Sequence, residues 1–240
     1  MLLRRKAMRE ETIKRIYIFS PSLRIWHWIN FLSITILFLT GLYIGNPFFI
    51  GSTGHEATYA YAHNLTMDFI RLIHFSAGYV LLFSFLFRLF IAFFHKGDRL
   101  FIPKVWKVEF WKGVVEMVLH YLFIKPWHRT YIRNPLARLA YFLLYVAIAF
   151  MIITGFAMYG LSDPNGFWAK VFGWVVPMLG GEFMVHMWHH WTAWLIVFFV
   201  IVHVYMVVRF DAIEKEGEVS SMFNGMKNFK ETPVDVEDVA

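Results

Sequence analysis

Imidazole side chains are costly inside a lipid bilayer, yet the segment HMWHHWTAWLIVFFVIVH (residues 186–203) holds four of them, His186, His189, His190 and His203, in an otherwise apolar run. Ionisable groups at such depth are functional by default and need a partner. A neutral imidazole offers one nitrogen lone pair, the property of a metal ligand. Helix geometry sorts the four. The fourteen residues from His189 to His203 place both rings within about 40° of one face and about 21 Å apart along the axis. By the same arithmetic His186 lies roughly 100° and His190 roughly 140° from His203. His189 and His203 therefore form a stripe, with one inward imidazole near each membrane surface. That arrangement suits two stacked haems, each iron held by a neutral imidazole nitrogen.

The elements that carry these residues are long apolar helices. Of 240 residues, 58% are hydrophobic and 20% aromatic, with a mean hydropathy of +0.51, well outside the range of a soluble domain. Four runs are long enough to cross roughly 30 Å of hydrocarbon: residues 26–45, 69–94, 139–159 and 185–208. The fold class read from them is all-α, an integral membrane four-helix bundle in a single transmembrane domain over residues 1–240. Seven of the 23 Lys and Arg residues precede the first run, nine lie between His95 and Arg138, and the loops after the first and third runs carry only Lys170. The positive-inside rule places both termini and the second loop in the cytoplasm and the first and third loops outside. The net charge of +6 is thus a topology signal, and no nucleic-acid partner is expected. The first run is a full span without a small-x-small cleavage site and is read as retained in the membrane.

Each iron needs a second ligand at matching depth. His27 opens the first span at the cytoplasmic side, level with His203; His74 opens the second span at the outer side, level with His189. The expected pairs are His27 with His203 and His74 with His189. With both axial positions filled, the irons would carry electrons and not bind substrate. No cysteine is present, which excludes disulfides, iron–sulfur ligation, zinc-thiolate sites and covalent c-type attachment. An internal echo supports the scheme. Pro21, Arg24, His27, Thr40 and Gly41 align without gaps with Pro135, Arg138, Tyr141, Thr154 and Gly155, and Arg71, His74 and Arg88 align with His186, His189 and His203. Arg71 and Arg88 are the cations assigned to haem binding. Arg88, about 21 Å along the second span from His74, would cost about 2.5–3.5 kcal/mol in lipid unless it snorkels or meets an anion. The expected anion is an inner-haem propionate.

Other features have plainer readings. His55, His63, His95, His120 and His128 are interfacial, His190 is interfacial or a hydrogen-bond partner, and His186 is a reserve ligand. Thr40–Gly41 and Thr154–Gly155 permit close helix packing. Residues 104–124, bounded by Pro103 and Pro126, alternate apolar and charged positions at helical spacing and suit an amphipathic helix in the cytoplasmic membrane interface. The polar, acidic tail 212–240 is expected to be loosely ordered or docked onto a partner.

The segments RIWHWINFLSITILFLTG (24–41), RLIHFSAG (71–78), FIPKVW (101–106) and HMWHHWTAWLIVFFVIVH (186–203) resemble the b-type cytochrome subunit of membrane-bound NiFe-hydrogenases over about residues 20–225. The resemblance implies a four-helix inner (cytoplasmic) membrane protein with two non-covalent haem b groups on His27, His74, His189 and His203. It also implies anchoring of the NiFe-hydrogenase small and large subunits on the periplasmic side and delivery of electrons to membrane quinone, with no hydrogen chemistry on this chain. The sequence departs from the family pattern at His190, where arginine is usual. Three other classes fit part of the pattern: a dihaem subunit of another periplasmic oxidoreductase such as formate dehydrogenase or thiosulfate reductase, a His-lined metal transporter, and an anchor without cofactor. The transporter should carry intramembrane Asp, Glu or Met clusters beside its histidines, and the spans have none.

Overall fold

The computed structural model describes residues 14–46, 65–94, 96–126 and 130–238. Four long helices dominate: α1 (Pro21–Gly45), α2 (Leu65–Ile91), α4 (Pro135–Gly160) and α7 (Glu182–Glu214). All four are long and apolar enough to span a membrane. Between them lie α3 (Val108–Tyr121) and two short helices, α5 (Phe167–Phe172) and α6 (Val175–Met178); α8 (Glu218–Asn224) follows α7. Strands β1 (Lys14–Tyr17) and β2 (Met226–Phe229) form a two-stranded antiparallel ribbon, with Lys14 opposite Phe229 and Tyr17 opposite Met226. The chain forms two compact units, one of residues 22–94 and 141–202, the other of residues 1–21, 95–140 and 203–240.

In the first, helical unit, α2, α4 and α7 supply the buried centre Leu81, Ile148, Ile152, Phe156 and Ile196, with Ile34 and Leu37 of α1 packed against it. Cross-helix contacts fix the directions. Trp26 Nε1 donates to Ser84 O at 2.9 Å while Thr40 meets His74, so α1 and α2 run antiparallel. Tyr79 against Phe156 and Phe75 against Tyr159 give α2 and α4 the same relation. Leu72, Phe83, Leu195, Phe198 and Ile201 point outward and are exposed, the pattern of a surface meant for lipid. Hydroxyls inside the helices bond back to their own backbone: Thr35 to Phe31 O, Thr192 to Trp188 O. Such bonds satisfy a polar group where no water is available.

The helices outrun the apolar windows read from sequence. α7 holds 33 residues, or roughly 50 Å at 1.5 Å per residue, longer than the hydrocarbon layer. Polar residues such as Glu182, Arg209 and Asp211 end a hydropathy window without ending the backbone ladder.

In the second unit α4 begins as a helix should. Asn134 Oδ1 caps Ala137 N at 2.7 Å and Pro135 occupies the first helical position, where its missing N–H costs nothing. α3 buries Phe110, Val114 and Met117 and leaves Val108, Trp111, Val115 and Val118 exposed, a second apolar face on a helix whose interfacial placement was expected. Burial pushes the Tyr121 phenol up to about 12, against a hydrogen bond from Asn134 and the charge of Arg209, so it stays neutral. Gly225 ends α8 at φ 81°, where a Cβ would stand 2.6 Å from Phe19 O and 2.7 Å from the Tyr17 ring; only glycine fits.

The tail departs from expectation. It is neither loose nor without partners in its own chain: Asp235 accepts from Ile132 N (2.6 Å), Arg133 N (3.2 Å) and Arg138 Nη2 (2.8 Å), and Asp238 pairs with Arg138 and Lys104. Lys227, buried in β2, pairs with Glu216 and Glu218. The acidic residues that gave the tail its polar composition are the ones that hold it in place.

Candidate functional site

The helical unit holds a partly open cavity of about 400 Å³ lined by residues of α1, α2, α4 and α7, within the range of cofactor pockets. Its walls are mainly apolar, with Leu37, Phe38, Met151, Ile152 and Val197 among them, and it brings together His74, His189 and Arg71. His186 and His190 line it as well.

Two matched arrangements position the paired histidines. Thr40 Oγ1 lies 2.7 Å from Ile36 O and 2.8 Å from His74 Nδ1. Thr154 Oγ1 lies 2.7 Å from Phe150 O and 2.8 Å from His189 Nδ1. The glycine that follows each threonine packs on the same ring: a Cβ on Gly41 would meet His74 Cε1 at 3.4 Å, and one on Gly155 would meet His189 Cε1 at 3.4 Å. With Nδ1 engaged by a hydroxyl, each ring has Nε2 as its remaining nitrogen for a metal. Gly78 also lines the cavity, and a Cβ there would meet nothing within 4 Å, so that wall stands open. A pocket with apolar walls, two imidazoles held by Nδ1 and a cation at Arg71 fits a b-type haem.

The remaining histidines divide. His190 Nε2 accepts from Trp194 Nε1 at 3.0 Å, the hydrogen-bonding role foreseen for it. His186 Nδ1 lies 3.0 Å from Glu182 O and is exposed. His120 Nδ1 lies 3.2 Å from Lys125 O near the end of α3. His55, His63, His95 and His128 fall outside the described residues. His27 is half-buried on α1, its ring edge-on to Trp28 at 5.2 Å. His203 belongs to the second compact unit.

Arg88 does not snorkel. Its side chain is 3% exposed, Nε donates to Tyr145 Oη at 2.8 Å, and the guanidinium sits 5.4 Å from the Trp26 ring centre and 5.7 Å from that of Tyr145. Trp26 and Tyr145 stack on each other at 5.8 Å. Cation–π contact with two aromatic faces offsets part of the cost of burying the charge.

Sequence reasoning missed the partners of these groups. The sequence presents Thr40 and Thr154 as packing residues, whereas each faces a histidine. The signal available is spacing: Thr40 precedes His74 by 34 residues and Thr154 precedes His189 by 35, steps that differ by one residue between the hairpins. For Tyr145 no comparable signal exists, because it lies on a different hairpin from Arg88.

Four apolar helices around a pocket with two oriented imidazoles define a membrane cytochrome of the b type. The chain belongs to the prokaryotic cytochrome b561 family, whose model matches residues 18–225. Family membership implies b-type haem and makes the chain a multi-pass protein of the inner membrane. Among its relatives, a protein of Cupriavidus necator named probable Ni/Fe-hydrogenase B-type cytochrome subunit is 39% identical over 226 residues, covering 92% of this chain and 90% of the relative. One of the same name from Azotobacter vinelandii is 40% identical, covering 90% of each. The probable Ni/Fe-hydrogenase 1 B-type cytochrome subunit of Escherichia coli K12 is 40% identical, covering 89% of this chain and 91% of the relative.

Proposed function

We propose that this chain is the membrane-anchoring, dihaem b-type cytochrome subunit of a periplasmic NiFe-hydrogenase, carrying electrons from hydrogen oxidation to membrane quinone. The observation that carries the reading is the matched pair of histidines, each held at Nδ1 by a threonine on the wall of one cavity. The names borne by relatives of near-equal length support the hydrogenase partner.

His74 and His189 hold the outer haem, with Arg71 at its edge; His27 and His203 hold the inner one, with Arg88 as its cation. The outer assignment is supported by the cavity, the inner one by depth matching along the helices. Haem b, when bound, supplies a one-electron iron couple with no open coordination site. The lysine- and arginine-rich second loop and N-terminus face the cytoplasm, which turns the cavity toward the periplasm and the hydrogenase small and large subunits. If quinone is reduced near the cytoplasmic side, an electron crossing inward against 100 mV stores about 2.3 kcal/mol.

The test is a reduced-minus-oxidised spectrum of the complex purified through this chain, with haem and nickel counted per chain. Two b-type haems and nickel in the large subunit are expected. A complex without nickel would move the chain to another periplasmic oxidoreductase, and a chain without b-type bands would defeat the cytochrome reading altogether.

A further inference from the structure

We infer that Thr40 and Thr154 are positioning residues for the outer haem: each fixes the tautomer of its histidine and sets the electron-donating strength of the ligating nitrogen. The inference rests on the proposed function, since it assumes a haem between His74 and His189.

The argument is a count of hydrogens. Thr40 Oγ1 has one, and lies 2.7 Å from Ile36 O, 3.3 Å from Leu37 O and 2.8 Å from His74 Nδ1. A carbonyl oxygen can only accept, so at 2.7 Å the hydroxyl must donate to it; otherwise two lone pairs would face each other. The hydroxyl therefore accepts from the imidazole, and the ring proton resides on Nδ1. In a neutral imidazole the lone pair is then on Nε2, the nitrogen left for iron. The same count holds for Thr154 Oγ1, with Phe150 O at 2.7 Å, Met151 O at 3.3 Å and His189 Nδ1 at 2.8 Å. Thr154 is fully buried and Thr40 nearly so, so water does not compete for either bond.

An acceptor on Nδ1–H raises the basicity of the opposite nitrogen and strengthens it as a ligand. A stronger donor favours the ferric state and lowers the midpoint potential. A hydroxyl that is itself donating is polarised into a better acceptor, yet it carries no charge. Two such bonds, one on each ligand, hold the outer potential below that of unsupported imidazoles and above that of carboxylate-supported ones.

Thr40→Val and Thr154→Val keep the side-chain shape and remove the hydroxyl acceptor, while the Ser variants keep the acceptor and remove the methyl; the Leu37 carbonyl also accepts from the His74 ring, so the Thr154 variant is the sharper of the two. In the purified hydrogenase complex, each Val variant should retain both haems, raise the outer-haem midpoint, and shift the low-spin ferric electron paramagnetic resonance signal. The double variant should shift further in the same direction, with the inner haem as an unmoved internal standard. Each Ser variant should match wild type. Haem loss confined to the Val variants would also support the inference, since only the acceptor separates the two sets. A wild-type midpoint and resonance signal in both Val variants would overturn it, as would haem loss in Val and Ser variants alike, which would make the role one of packing. Absence of b-type haem from the wild-type complex would instead overturn the proposed function on which it rests.

Discussion

Thr40 with His74 and Thr154 with His189 are one arrangement made twice, with equal distances to the ring nitrogen, to the backbone carbonyl and from the following glycine. The cluster of Arg88, Tyr145 and Trp26 cannot be made twice, because these residues align with His203, Phe31 and Ala140 in the other hairpin. The contrast separates two demands on a pair of helical hairpins with similar patterns. At one level both copies perform the same task, holding one ring each, and keep the same residues. In the proposed inner site the hairpins would divide the work, one supplying His27 and the cation Arg88, the other Tyr141 and His203. An inner site formed that way would draw its cation from one hairpin, as the outer one does with Arg71 opposite His186, and the two haems should differ in potential through how each cation is held: Arg88 is buried against Tyr145 and Trp26, whereas Arg71 is exposed on the cavity wall.

The largest expected effect breaks the symmetric level outright. His74→Ala and His189→Ala should each abolish the same haem, and His27→Ala and His203→Ala the other, while His186→Ala and His190→Ala keep both. Haem-to-protein ratios of the six variants decide it. Full haem content in any of the first four would remove that residue from its pair.

Next comes the second compact unit, where a buried cation is held by ordinary carboxylates instead of aromatic faces. Asp235→Ala removes three hydrogen bonds and one of the two carboxylates beside the buried Arg138. A cost of about 3 kcal/mol follows from stripping a partner from a buried ion pair and leaving backbone donors unmet. The thermal midpoint of the detergent-solubilised protein should fall clearly. An unchanged midpoint would mean that the tail contributes no stability.

Arg88→Gln tests the asymmetric level more gently. A cation near the inner haem favours the reduced state, which carries one positive charge fewer. Its removal should lower the inner midpoint by on the order of 60 mV, a tenfold change for one electron, with the outer haem unmoved and both haems retained. A wild-type inner midpoint would leave Arg88 as a structural cation beside Trp26 and Tyr145.

What the sequence made legible was whatever depends on one helix at a time. Apolar length yielded four spans, and angular arithmetic on α7 separated His189 from His186 and His190. What it hid depends on register between helices. Thr40 looks like a packing residue until α2 is laid antiparallel beside α1 and His74 comes opposite. Arg88 reads as a cation meant for a haem propionate, and nothing in its own helix shows that Tyr145, 57 positions later, accepts from it. The tail misled for a related reason: an acidic, polar composition is the mark of a loose segment only when no buried cation waits for it, and Arg138 lies 97 residues before Asp235.

The smallest effect concerns Asp238, where the ion pairs of the tail become a pH dependence. Burial by itself would raise its carboxyl, but hydrogen bonds from Lys104 and Arg138, with the charges of both, outweigh it and hold the group below its ordinary value of 3.8. A carboxylate held lower in the folded chain than in the unfolded one stabilises the fold fully above the unfolded value, and the contribution is lost as pH falls through the folded value. The tail should thus be equally well held from neutral pH down to about pH 5 and loosen only in stronger acid. Because the side chain is partly open to solvent, screening keeps the effect small. Limited proteolysis of the C-terminus across a pH series reads it: release should begin below pH 4 in the wild type, by the ordinary carboxyl range, and Asp238→Asn should raise cleavage at neutral pH and flatten the acid response. Identical pH profiles for the two proteins would show that Asp235 alone holds the tail to Arg138.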